Sequence, residues 1–126
     1  MDLTNKKILV CDDSVLARKQ LMDAVKEIGD NATFIEGKNG KESVALYEEH
    51  KPDLVFMDIV MPEMDGTEAL KAIREKDPDA VIIIVSSVGT QDQLKKAIQL
   101  GAKDFIQKPF ENNQIREIIE LRLGGN

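Results

Sequence analysis

Five short apolar runs alternate with five segments of helical period along almost the whole chain, and that order leaves few architectures open. The runs are Ile8 to Cys11, Ala32 to Ile35, Leu54 to Met57, Val81 to Val85 and Phe105 to Ile106. The third and fourth contain no polar residue, the pattern of strands covered on both faces. Leu16, Leu21, Val25 and Ile28 stripe a first helix that Gly29 stops. Val44, Ala45 and Leu46 mark a second ended by Pro52, and Ala69, Leu70 and Ile73 a third ended by Pro78. Leu94, Ala97, Ile98 and Leu100 stripe a fourth closed by Gly101, and Ile115, Ile118 and Ile119 a fifth closed by Gly124 and Gly125. Right-handed crossovers between successive strands then predict an α/β, doubly wound (βα)5 fold. Its five-stranded parallel sheet would run in the order 2-1-3-4-5 with helices on both faces. A chain of 126 residues suits one such domain over 1–126, with a core at about 6–123 and no output domain.

Composition removes several function classes. Lys and Arg number 17 against 23 Asp and Glu, a net charge of −6, so most of the surface repels nucleic-acid phosphates. The single cysteine, Cys11, has no intrachain partner and fits a reducing compartment. Lys6 and Lys7 precede only four apolar residues, too few for a signal-peptide core, and the longest apolar run, Ala80 to Val85, is too short for a bilayer. A cytoplasmic protein with no membrane partner, working as a monomer, is expected. Neither Gly-x-Gly-x-x-Gly after the first strand nor Gly-x-x-x-x-Gly-Lys-Ser/Thr occurs, which argues against dinucleotide and nucleoside triphosphate binding.

The polar residues fall at the strand ends. In doubly wound sheets ligands sit beyond the carboxyl ends of the strands where strand order reverses, here between the first and third. The first strand runs into Asp12 and Asp13, the third into Asp58, the fourth into Ser86 and Ser87, and the fifth, after Gln107, into Lys108. Any one of these alone reads as a turn residue or a cap; Ser14 or Asp13 can cap the first helix. Their coincidence at four strand ends reads as a site. Two carboxylates about 5 Å apart repel by roughly 3 kcal/mol at an effective dielectric of 20, so three need positive charge among them. Lys108 supplies one cation, and a hard divalent ion such as Mg²⁺ the rest. A metal beside carboxylates suits phosphoryl transfer, with Asp58 the best placed nucleophile.

Other polar and sulfur residues carry plainer readings. Cys11 reads as a small buried apolar residue, His50 as a solvated side chain at a helix end, Glu48 and Glu49 as an exposed helix face, and the Met residues as packing.

Asp12-Asp13, Asp58 followed by Ile-Val-Met-Pro-Glu-Met-Asp-Gly, Ser86, and Lys108-Pro109-Phe110 together resemble the response-regulator receiver domain, over about Lys6 to Leu123. Ser86-Ser87-Val88-Gly89 and Gly101 to Ile106 look closer to its chemotaxis-type members than to receivers attached to DNA-binding domains. The resemblance implies a flavodoxin-like, CheY-like fold and two-component signalling. Asp58 would accept a phosphoryl group from a sensor histidine kinase (CheA-like). Asp12, Asp13, Asp58 and the backbone carbonyl of Val60 would hold Mg²⁺, and Lys108 would pair with the phosphoryl group across a cis Lys108-Pro109 bond. Ser86 and Phe105 would act as the switch, altering the face of the fourth helix, fifth strand and fifth helix that a downstream target binds; a phosphatase would be a further partner. The domain would catalyse its own modification and slow dephosphorylation without being an enzyme in the ordinary sense. Phe105 stands where many members carry Tyr, and Val60 and Val88 are apolar where fast-hydrolysing members place polar side chains. An intermediate receiver of a phosphorelay would use the same residues. From other classes, a Mg²⁺-dependent haloacid-dehalogenase-like phosphohydrolase lacks its Asp-x-Asp here, and an unphosphorylated adaptor would not need the intact acid set.

Overall fold

The computed structural model of the chain describes residues 1–87 and 91–124, so Val88, Gly89 and Gly125 lie outside the described residues. Strands β1 (Lys7–Cys11), β2 (Thr33–Gly37), β3 (Leu54–Met57), β4 (Ile82–Ser86) and β5 (Asp104–Gln107) form one sheet in the order β2-β1-β3-β4-β5, parallel throughout. Helices α1 (Val15–Ile28), α2 (Gly40–His50), α3 (Gly66–Lys76), α4 (Gln91–Gln99) and α5 (Asn112–Leu123) alternate with them. The architecture matches the expectation from the apolar pattern.

Side chains that alternate along each strand divide the core in two. Ile8, Val10, Leu54, Phe56, Ile83, Val85 and Ile106 face α1 and α5, where Leu21, Val25, Ile115, Ile118 and Ile119 cover them. Leu9, Cys11, Val55, Met57, Ile82 and Ile84 face the other way, against α2, α3 and α4. Full burial of each large side chain contributes roughly 1.5–3 kcal/mol, which explains the unbroken apolar runs of β3 and of β4 up to Val85.

Three helix stripes differ from the sequence reading. Leu16 is 64 % exposed. It lies five residues before Leu21, a step that carries it about 140° round the helix and off the buried face. In α2 the buried positions are Gly40, Ser43 and Tyr47, while Ala45 is exposed. Tyr47 tolerates burial because its hydroxyl donates to Asp77 Oδ2 at 2.7 Å. In α4 only Ala97 is buried and Ile98 is 47 % exposed. At the edge, β2 begins at Thr33 rather than Ala32 and continues through Glu36 and Gly37, because the pairing with β1 runs on to Cys11 opposite Gly37.

The helices start immediately after the strand ends. Ser14, rather than Asp13, caps α1, its hydroxyl accepting from Ala17 N at 3.1 Å. Asn39 caps α2 and Asp65 caps α3 in the same way. Gly66 opens α3 against the backbone of β3: a Cβ built there would stand 1.9 Å from the Asp58 carbonyl oxygen. Only glycine allows this approach, which folds the loop after Asp58 back on the strand.

Candidate functional site

The site lies at the carboxyl ends of β1 and β3, where strand order reverses. The Asp12 N–H donates to Gly37 O at 3.0 Å and the Asp58 N–H to Cys11 O at 2.9 Å, so both residues extend the sheet ladder by one step. Asp12 Oδ1 accepts the Ser14 N–H at 2.9 Å, and its Oδ2 accepts Lys108 Nζ at 2.5 Å. Lys108 Nζ also lies 3.4 Å from Asp58 Oδ2. The Lys108 backbone N–H donates to Ser86 O at 2.9 Å, and the Lys108–Pro109 peptide is cis. Carboxylate oxygens of Asp12, Asp13 and Asp58 all fall within 4.8 Å of one another. Asp12 and Asp58 are buried, whereas Asp13 is exposed.

Burial holds the Asp58 carboxyl above the ordinary carboxylate range, and the negative charge of Asp12 adds to that effect. The Ser86 hydroxyl, through its hydrogen bond to Asp58, and the Lys108 ammonium pull in the opposite direction without cancelling it. Burial by itself would lower Lys108, but the hydrogen bond it donates to Asp12 and the charges of Asp58 and Asp12 outweigh it. Its pKa therefore rises and the ammonium stays charged at neutral pH. Three carboxylates against one ammonium leave excess negative charge in a partly desolvated place. All the side-chain donor atoms of the cluster are oxygens, two of them on buried residues, which fits a small hard cation such as Mg²⁺.

The structure thus brings Asp12, Asp13, Asp58, Ser86 and Lys108 together. Ser86 closes β4 fully buried. Phe105 does not join them. It pairs with Ile84 on β5 and packs, half-buried, in the core cluster that contains Ala97 and Ala102, on the α4 side of the sheet. The Val60 side chain points outward, 56 % exposed. Val88 lies outside the described residues. Away from the site, burial pushes the Cys11 thiol up to about 12, so it packs as an inert apolar residue. Glu48 pairs with Lys76 across the exposed edges of α2 and α3, and His50 ends α2.

One charged residue escaped the sequence reading. Arg18, on the inner face of α1 and only 6 % exposed, donates from Nη1 to the Asp12 carbonyl at 2.7 Å and from Nε to Glu36 Oε1 at 2.9 Å. Its position three residues before Leu21, on the stripe that continues through Ala24, Val25 and Ile28, was the available signal. A search for apolar residues passes over it.

Among known families, the response regulator receiver domain matches residues 8–120. The chain belongs to this family. A chemotaxis protein CheY of Listeria monocytogenes is 46 % identical over 114 residues, covering 90 % of this chain and 95 % of the relative. Bacillus subtilis CheY is 45 % identical over 117 residues, covering 93 % and 97 %. Among solved structures, CheY in a CheX-CheY-BeF3-Mg²⁺ complex from Borrelia burgdorferi superposes with a TM-score of 0.87 at 33 % identity, over 94 % of this chain and 89 % of that one. This receiver is therefore a signalling domain rather than an enzyme that turns over a separate substrate, which sets aside the phosphohydrolase reading. Among the described residues, no helix is long and apolar enough to cross a membrane.

Proposed function

We propose that this receiver is a cytoplasmic response regulator of chemotaxis type, phosphorylated on Asp58 by a CheA-like sensor histidine kinase. The observation that carries the reading is the placement of Asp58 at the end of the central strand, with Asp12 and Asp13 oxygens within 4.8 Å and Lys108 Nζ at 3.4 Å. Near-complete coverage of CheY relatives supports the chemotaxis assignment.

In this reading an Asp58 carboxylate oxygen attacks the phosphorus of a phosphohistidine. The new P–O bond forms as the P–N bond breaks, and the imidazole nitrogen leaves with the electron pair. Asp12, Asp13, Asp58 and the Val60 carbonyl would hold Mg²⁺, which would supply charge neutralisation for the transferring oxygens. Lys108, kept charged by its carboxylate neighbours, shields the approach of the anionic group to an anionic nucleophile. The Ser86 hydroxyl, bonded to Asp58, would re-aim at a phosphoryl oxygen once one is there. Its movement vacates space behind β4 into which the Phe105 ring turns, and the surface of α4, β5 and α5 changes for a downstream target. Hydrolysis is slow because the apolar Val60 side chain offers no hydrogen bond to an attacking water.

The test is labelling by a small phosphodonor such as acetyl phosphate. Parent protein should take up one phosphoryl group only in the presence of Mg²⁺, and Asp58→Asn should take up none. Undiminished labelling of Asp58→Asn would falsify the assignment.

A further inference from the structure

We propose that Arg18 is a positioning residue for the cation site: by holding the Asp12 carbonyl, it fixes the Asp12-Asp13 peptide so that both carboxylates point at the ion. The inference rests on the reading of Asp12, Asp13 and Asp58 as the Mg²⁺ site and adds a residue outside that set.

A guanidinium is costly to bury, and an ion pair alone does not explain why this one is buried. Glu36 has a side chain 46 % exposed, against 7 % for Arg18. Had pairing with Glu36 been the whole role, the guanidinium would lie out with its partner in solvent. Instead Nη1 reaches inward to the Asp12 carbonyl at 2.7 Å, the buried bond of the two. Asp12 is then held at every backbone and side-chain oxygen and at its nitrogen. Gly37 O takes its N–H, the Ser14 N–H and Lys108 Nζ take its carboxylate, and Arg18 takes its carbonyl. Asp13 is exposed, so its aim depends on the peptide that enters it, whose plane is set by that carbonyl. Glu36, by accepting from Nε at 2.9 Å, orients the guanidinium plane so that Nη1 faces Asp12.

The two effects of Arg18 on a divalent cation have opposite signs. Its charge repels the ion, so a purely electrostatic role predicts tighter Mg²⁺ binding when the charge is removed. Its hydrogen bond aligns the ligands, so a positioning role predicts weaker binding. Partners that orient metal ligands typically contribute tenfold to a hundredfold in affinity.

The experiment is calorimetric titration of MgCl2 into the metal-free protein, with denaturant unfolding of each variant in parallel. Arg18→Met should bind Mg²⁺ about tenfold more weakly than the parent at unchanged stoichiometry. Glu36→Gln should weaken it by a smaller factor, and the double variant should lose no more than Arg18→Met alone, because Glu36 acts through the guanidinium. If Arg18→Met binds as tightly as the parent, or more tightly, the positioning role is wrong. Should Arg18→Met not fold, Arg18→Lys carries the test: an ammonium cannot span both acceptors with a planar fork, so weaker binding is expected, and parental affinity overturns the inference. A parent that binds no Mg²⁺ overturns the metal-site reading itself, and is told apart by failing before any variant is compared.

Discussion

Asp58 is the chemical centre of the proposed site, and its burial sets its titration. Because burial, and then the charge of Asp12, hold its carboxyl above the unfolded value of 3.8, folding favours the neutral form. That contribution to stability is complete below pH 3.8 and is lost as pH rises through the raised value in the folded state. Asp58→Asn is neutral at every pH and nearly isosteric. In metal-free buffer it should therefore gain stability over the parent as pH climbs from about 4 to 7, read from melting temperatures. A variant that melts below the parent at pH 7 contradicts this account of the site's electrostatics. Val60 bears on lifetime: Val60→Asn, placing a polar group beside the path of the attacking water, should speed loss of the phosphoryl group by about tenfold. Equal decay of parent and variant, without phosphatase, would mean Val60 does not limit hydrolysis. Asp12, Asp13, Asp58, Ser86 and Lys108 were legible in the sequence because each follows an apolar run directly or nearly so, and a parallel sheet gathers such ends along one edge. Arg18 was not, since its role depends on a backbone carbonyl that residue spacing does not reveal.

Elements were legible where one physical signal dominated. The strictly apolar β3 was found to the residue, and β4 to within one, because burial on both faces leaves no other pattern. β2 was displaced because Glu36 and Gly37 are strand through their pairing with β1 and not through apolarity. The α2 stripe was misread for a related reason: Gly40 and Ser43 face the core by being small, and Tyr47 by finding Asp77. The junction of β3 with α3 carries its own test. Gly66→Ala would drive a methyl group into the Asp58 carbonyl, 1.9 Å away, and two main-chain segments cannot both yield there. A loss of about 2 kcal/mol or more is expected in urea unfolding, with slower phosphorylation because Asp58 itself must shift. A variant with parental stability and rate would show that the loop after β3 is free to move without disturbing the site.

Over the whole molecule, charge is unevenly divided. Residues 91–126 hold six Lys or Arg and five Asp or Glu, a net of +1, while residues 1–90 hold eleven against eighteen, a net of −7; together these give −6. Lys95, Lys96, Lys103 and Arg116 are exposed on or beside α4, β5 and α5, the proposed output face, and favour an acidic partner segment. The double reversal Lys95→Glu and Lys96→Glu should slow association with the target by about tenfold at low salt and flatten its salt dependence. Unchanged on-rates would move recognition elsewhere. The central claim is that one acid among 23 carries the phosphoryl group. Its most direct test is chemical mapping: protein phosphorylated by acetyl phosphate and Mg²⁺ is reduced with borohydride, which converts an aspartyl phosphate to homoserine, and the converted residue is located by peptide mass spectrometry. The account expects homoserine at position 58 alone, and none when EDTA replaces Mg²⁺; conversion at Asp12, Asp13 or any other acid, with Asp58 intact, would contradict it.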